Sequence, residues 1–361
     1  MVDPLSLVKP AVRAQELYTL PPRTAAVKVD QNENPFELPE DFKAEVLRRL
    51  AAAPWGRYPE FVPRPLLEAL ARHAGWRPDG VLAGNGSNEL IDVVLKTTVG
   101  PGVRVVVPEP TFTLYANMAS TLGAQVVRVP LRADLSYDVD ALLQAGGPER
   151  SGVLIVCSPN NPTGTAMSEA DLRRLLASWR GLVVLDEAYQ EFTRGVGVLL
   201  LAEHRHLVVL RTFSKAMALA GLRVGYLLGD PALVRELDKV KLPYNLNRFS
   251  VEAATLALER YDEVLRPSVE RLVALREALA RALKAIPGLA VVPSSANFLL
   301  VRCAWPPREV HAALFERGVL ARDVSRYPML GDALRIGVGT AEENARTTDA
   351  LRAFSLARGG R

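Results

Sequence analysis

The chain has 361 residues, 49% hydrophobic and 23% charged, an ordinary globular composition with enough apolar material for a large core. Its net charge of +4 is spread over 44 basic and 40 acidic residues, without the basic block of a nucleic-acid binder. Two cysteines, Cys157 and Cys303, make no disulfide framework, the opening MVDPLSLVKP lacks a signal peptide's apolar core, and no apolar run reaches 18 residues. The expectation is a cytoplasmic protein with no membrane or nucleic-acid partner.

From about Ala44 to Tyr244, short β-branched runs alternate with amphipathic helical patterns. Strands are expected at Val103–Val107, Gln125–Val129, Val153–Val156, Leu182–Leu185, Leu207–Leu210 and Val224–Leu228, with helices at Glu89–Thr98, Phe112–Leu122 and Glu169–Ser178 between them. Continuous apolar strands alternating with helices imply an α/β fold whose mostly parallel sheet is covered on both faces. Beyond Tyr244, Ser250–Ala285 reads as one long helix or two in tandem. Strands Leu289–Val292 and Asn297–Val301, helix Pro307–Arg317, strand Leu334–Val338 and helix Ala341–Ala357 follow. This second part is expected to be a smaller α+β domain. The domain expectation is an N-terminal arm that forms part of the small domain over residues 1–40, a large domain over 41–245 and a small C-terminal domain over 246–361.

Ligands of such folds bind beyond the carboxyl ends of the strands, and the informative polar residues lie there. Lys215 follows the strand ending at Leu210, with Arg223 eight positions on and hydroxyls at Thr212 and Ser214. A lysine in that place can lose basicity and form an imine with a carbonyl, and the arginine and hydroxyls suit a phosphate; the competing reading is an exposed loop lysine. LVVLDEAYQEF ends a strand on Asp186 with Tyr189 close behind, and VLIVCSPNNPTG brings Asn161 past another strand. Gly86, Ser87 and Asn88 open a helix, where backbone N–H groups favour a phosphate, unless Ser87 and Asn88 are simply N-caps. His204 and His206 lack a third ligand nearby, so no metal is expected. Cys157 reads as a buried core residue.

SPNNPTG, DEAY, SKAMALAGLRVGY and LRIGVGT, in this order, resemble the class I and II aminotransferases of fold type I over nearly the whole chain. The resemblance implies a large domain with a mostly parallel sheet flanked by helices, a smaller α+β domain, and pyridoxal 5′-phosphate (PLP) as cofactor. It implies that Lys215 is the Schiff-base lysine and moves a proton, that Asp186 pairs with the pyridine nitrogen, and that Asn161 and Tyr189 bond the ring oxygen. It further implies a phosphate cup of Gly86, Ser87, Asn88, Ser214 and Arg223, and an aromatic against the ring at Phe112, with Tyr115 the lesser claimant. Tyr58, in GRYPE, is similar to a tyrosine that reaches the phosphate of the neighbouring subunit, implying a homodimer. Arg335 is similar to the arginine that holds the substrate carboxylate.

QNENPFELP, RYPE, GNGSNELI, PYNLNRFSVEAA and VLARDVS are together similar to histidinol-phosphate aminotransferases. That implies transfer of an amino group between histidinol phosphate and 2-oxoglutarate, with Tyr18, Asn32, Asn161, Arg322 and Arg335 binding substrate and Tyr244 and Asn247 nearby. Phe112 stands where tyrosine is common, Asn88 where aspartate is, and Met217-Ala218 replaces a frequent Phe-Gly. The alternatives are an aminotransferase for aromatic or varied amino acids, a relative of threonine-phosphate decarboxylase, or a PLP-binding sensor.

Overall fold

The structure, a computed structural model, describes residues 2–17, 23–193 and 195–359. Thirteen strands occur among them. The first, β1 (Val27–Lys28), lies ahead of the main sheet. That sheet is built from β2 (Val81–Gly84), β3 (Arg104–Glu109), β4 (Gln125–Pro130), β5 (Val153–Cys157), β6 (Leu182–Asp186), β7 (Leu207–Thr212) and β8 (Gly225–Gly229). Its order is β2-β8-β7-β6-β5-β3-β4. Parallel pairing runs through β4, β3, β5, β6 and β7, while β8 is antiparallel to both β7 and β2.

The apolar runs form strands because both faces of the sheet are roofed. Successive side chains alternate faces, so Leu154 and Val156 join a core with Val183, Leu185, Leu207 and Val209. Ile155 and Cys157 join the opposite core with Val184, Val208 and Leu210. Every residue of β5, β7 and β8 is buried. At the rim, β4 shows exposed Gln125 and Arg128, as expected of an edge strand.

A four-stranded sheet, in the order β12-β13-β10-β9, takes β9 (Leu289–Val291), β10 (Phe298–Cys303), β12 (Arg322–Asp323) and β13 (Ala333–Gly337). All its pairings are antiparallel, and β11 (Val319–Leu320) pairs in parallel with β1. The early segment before the main sheet therefore belongs structurally with the late strands.

The elements named from sequence recur with ends within about two residues, and the structure adds others, among them β1, β2, β11 and β12. Strand β2 was not anticipated: four residues ending in glycine carry no periodicity. The second helix begins at Leu114, not Phe112. The tandem-helix expectation resolves into helices Arg248–Glu259 and Arg266–Lys284, joined by a π turn at Tyr261–Leu265. Pro267 supplies the reason, since it has no N–H to donate and its ring crowds the carbonyl four residues back. Among the described residues, no helix is long and apolar enough to cross a membrane.

Candidate active site

Because β5, β6 and β7 run the same way, their carboxyl ends lie along one edge. Register sets Cys157 beside Asp186 and Asp186 beside Leu210, so Asn161, Asp186 and Lys215 leave the sheet as neighbours. Strand β8 runs backwards, which brings its start to the same edge: Gly225 is opposite both Thr212 and Gly84. Arg223, just before β8, and Ser87, just after β2, converge there. A cleft at this edge is lined by Asn161, Asp186, Tyr189, Lys215 and Arg223, with Asn32, Arg322 and Arg335 closing its other side.

Glycines shape the phosphate-sized end. Gly86 has φ +81°, and a Cβ there would sit 2.6 Å from Arg223 Nη2. A Cβ on Gly225 would lie 2.4 Å from the Ser87 backbone nitrogen, so strand and helix start touch. The cap of helix Ser87–Thr98 is Gly86, without a side-chain bond; Ser87 and Asn88 lie inside the first turn and are not N-caps. First-turn N–H groups have no intrahelical acceptor, and the helix dipole favours an anion there. Ser214 Oγ accepts from Thr212 Oγ1 (3.0 Å) and from Arg223 Nη1 (3.1 Å). Its own proton is then left to donate.

Lys215 Nζ donates to the Gln31 carbonyl at 2.8 Å. Burial pushes its pKa from 10.5 down to about 7, aided by the charges of Arg335 and Arg223 and opposed by Glu33. Asp186 Oδ1 accepts from the Ala188 N–H (3.0 Å) and Oδ2 from the Tyr115 hydroxyl (2.6 Å). Burial raises its carboxyl to about 6, and those two bonds oppose the rise. Tyr189 accepts from Asn32 Nδ2 at 3.1 Å, which leaves the phenol's proton to donate elsewhere. Burial pushes that phenol well above the ordinary tyrosine range.

Arg335 Nη1 donates to Asn161 Oδ1 (2.6 Å), and Nη2 donates to the Asp30 carbonyl. Its guanidinium stands 5.4 Å from the Phe298 ring centre. Arg322 is directly opposite it across the β12–β13 ladder, and both line the cleft. Like charges facing each other on one sheet destabilise it, unless an anion lies between or over them. Two guanidiniums paired across the strands at one end of a cleft have the chemistry to hold a carboxylate or phosphate.

Most of the residues singled out from sequence meet in this cleft, Phe112 among them. Tyr58 does not: it is 77% exposed and stacks on Tyr244, ring centres 4.5 Å apart. Tyr244 therefore belongs to an outer patch. Asn247 does not line this cleft either; its Oδ1 caps helix Arg248–Glu259 by accepting from Ser250 N–H. Tyr18 lies outside the described residues. Tyr115 sits edge-on to Phe112 at 5.5 Å and bonds Asp186, a contact that sequence alone did not reveal. Thr212, whose hydroxyl the sequence singled out, also lines the cleft, and Asp30 and Tyr327 line it unannounced. The buried Cys157 lies at its floor.

An amine of lowered basicity, a buried carboxylate and an anion cup, set at the carboxyl edge of a mostly parallel sheet, define an enzyme that activates amines through a bound carbonyl cofactor. The chain belongs to the family described as aminotransferase class I and II, which matches residues 24–351. It is similar to the histidinol-phosphate aminotransferase of Chlorobium phaeovibrioides, 38% identical over 98% of both chains. Histidinol-phosphate aminotransferase 1 of Burkholderia lata is 42% identical over 98% of this chain and 99% of its own length. Among solved structures, the histidinol-phosphate aminotransferase of Sinorhizobium meliloti, in complex with pyridoxal-5′-phosphate, superposes with a TM-score of 0.86 at 26% identity, covering 98% of each chain. Membership makes this chain a PLP-dependent aminotransferase, and its residues fit that cofactor. PLP presents an aldehyde, a ring nitrogen, a phenolic oxygen and a phosphate. The cleft offers a neutralisable amine, a buried carboxylate, a phenol with a free proton and a glycine-shaped cup.

Proposed function

We propose that this enzyme transfers the amino group of histidinol phosphate to 2-oxoglutarate, yielding imidazole acetol phosphate and glutamate in histidine biosynthesis. The observation that carries the reading is the Arg322–Arg335 cross-strand pair, which suits substrates ending in either phosphate or carboxylate. Near-full-length similarity to histidinol-phosphate aminotransferases supports it.

When bound, the cofactor supplies an electron sink for the substrate's α-carbon. Lys215 Nζ, which burial brings down to a pKa of about 7, would be the amine that holds the cofactor's aldehyde and the base that carries the α-proton. Asp186 holds a proton on the ring nitrogen. Tyr189, oriented by Asn32, and Asn161, held by Arg335, donate to the ring oxygen. The Ser87 and Asn88 amides behind Gly86, with Ser214 and Arg223, hold the phosphate, and Phe112 packs against the ring. Arg335, Arg322, Asn32 and Tyr18 bind substrate.

The working unit in this reading is a cytoplasmic homodimer, in which Tyr58 of each copy reaches the other's phosphate site; the exposure of that ring supports it. The domain division runs 1–40, 41–245 and 246–361. In its favour, the main sheet draws only on strands from Val81 to Gly229, and the four-stranded sheet only on strands after Leu289.

The test is purified protein with PLP, histidinol phosphate and 2-oxoglutarate, run beside phenylalanine and threonine phosphate as rival donors. Glutamate should form fastest with histidinol phosphate, and Lys215→Ala should lose both turnover and the visible absorbance of bound cofactor. A cofactor-loaded preparation that makes no glutamate from histidinol phosphate would sink the reading.

A further inference from the structure

The carboxyl of Asp186 is gripped by a side chain from outside its own strand. Tyr115, on helix Leu114–Thr121, is 1% exposed and donates to Oδ2 at 2.6 Å, while the backbone N–H of Ala188 takes Oδ1. A short bond from a hydroxyl to a carboxylate is charge-assisted, and it favours the ionised form. Other titratable groups surround the carboxyl. Cys157 from β5 lies beside Tyr115, Tyr137 donates to the Cys157 carbonyl, and Tyr189 follows on the same segment. Glu187, next in sequence, turns away to bind Arg211 at 2.8 Å. Among the described residues, Tyr115 is the side chain that hydrogen-bonds Asp186 directly.

We propose that Tyr115 is a positioning residue: its hydroxyl keeps the Asp186 carboxyl ionised and oriented, so that Asp186 holds the proton on the cofactor's ring nitrogen. This rests on the PLP reading above. Burial drives the carboxyl up to about 6, and the Tyr115 bond is the largest force against that drift. Without it, the proton shared between acid and ring shifts to the carboxyl at neutral pH. The total number of protons in the site is unchanged; only the place of one differs. A neutral acid beside a neutral ring leaves the ring a weaker electron acceptor.

Tyr115→Phe tests this, because it keeps the buried ring and removes one oxygen. Isotope-edited infrared titration of the apoprotein, assigned with Asp186→Asn, should place the carboxyl midpoint higher in Tyr115→Phe than in the wild type. In the holoenzyme kcat should fall about tenfold with the donor KM within twofold, and the kcat–pH profile should shift the same way. A packing role alone would lower the thermal midpoint and leave the infrared midpoint and the kcat profile in place; that result overturns the proposal. In the Asp186→Asn background, Tyr115→Phe should cost nothing further, and an equal additional tenfold loss there also overturns it. If the wild type failed to take up PLP at all, the functional reading would fall, while the infrared midpoint would still decide whether Tyr115 holds the carboxyl.

Discussion

Lys215 should be half neutral near pH 7, and the midpoint should rise when Arg335 loses its charge. Burial is the main cause of its descent from 10.5 to about 7, and the Arg335 guanidinium comes next. A lysine of ordinary basicity is neutral in about three molecules per ten thousand at pH 7, so this amine is about a thousandfold richer in its reactive form. Only the neutral amine attacks an aldehyde. The rate at which apoenzyme captures PLP should therefore climb about tenfold per pH unit below 7 and flatten above about pH 8. Stopped-flow absorbance of apoenzyme mixed with PLP, from pH 5.5 to 9.5, reads the bend directly. Arg335→Gln removes a cation beside the ammonium, so the bend should move to higher pH and capture at pH 7 should slow. A wild-type rate still climbing tenfold per unit through pH 9 would refute the buried-amine argument. So would a bend that moves downward in Arg335→Gln.

Asp186→Ala should still capture PLP through Lys215 yet lose about 10²–10³-fold in kcat, the scale of a lost electrostatic partner; near-native turnover in a steady-state assay would contradict its role. Asn32 has φ +57°, which aspartate tolerates, so Asn32→Asp tests orientation without backbone strain. Its carboxylate would draw the Tyr189 proton away from the cleft and lower kcat about tenfold, whereas an unchanged kcat would show that the Asn32–Tyr189 bond orients nothing. Burial depresses His73 from 6.5 to about 4, with Arg211 adding to the effect. A depressed histidine stabilises the fold fully above about pH 6.5, and that contribution drains away as pH falls toward 4, because the unfolded chain binds the proton first. Between pH 7 and 4.5 the wild type should then lose about 2 kcal/mol more stability to urea than His73→Gln; equal losses would remove the linkage.

Much of this site was legible because strand ends announce themselves. Apolar runs stop at Asp186, before Asn161 and before Lys215, and parallel strands must release such residues on one edge. The direction of β8 was not legible, since a strand buried on both faces reads the same whichever way it runs. Yet that reversal is what carries Arg223 to the cup. The Arg322–Arg335 pairing, between residues 13 positions apart, needed the register of two strands, one of them only two residues long. Tyr115 was weighed for ring stacking because its segment carries Phe112. Its bond to Asp186 depends on how a helix seats against the sheet, which no local pattern encodes. Tyr58 stays outside the cleft because its exposed ring stacks on Tyr244, a contact that the sequence around GRYPE does not encode.

The acidic pair Asp186–Glu187 shows how one strand end serves both chemistry and support. Alternation sends Asp186 to the face that carries Val184, Cys157 and the cleft. Glu187 goes to the other face, where Oε2 accepts from Arg211 Nε and Nη2 at 3.0 and 2.8 Å, and Oε1 from the Gly197 N–H. The same alternation on β7 sends Arg211 down to Glu187 and Thr212 up to Ser214. So the buried ion pair ties the end of β6 to the end of β7 one residue away from the acid and four from the lysine. A buried pair of this kind adds little net stability over an apolar pair, but breaking one partner is costly, so the two strand ends are locked in one relative position. The distance between the Asp186 carboxylate and the Lys215 amine is thereby set by Glu187 and Arg211, which do not line the cleft.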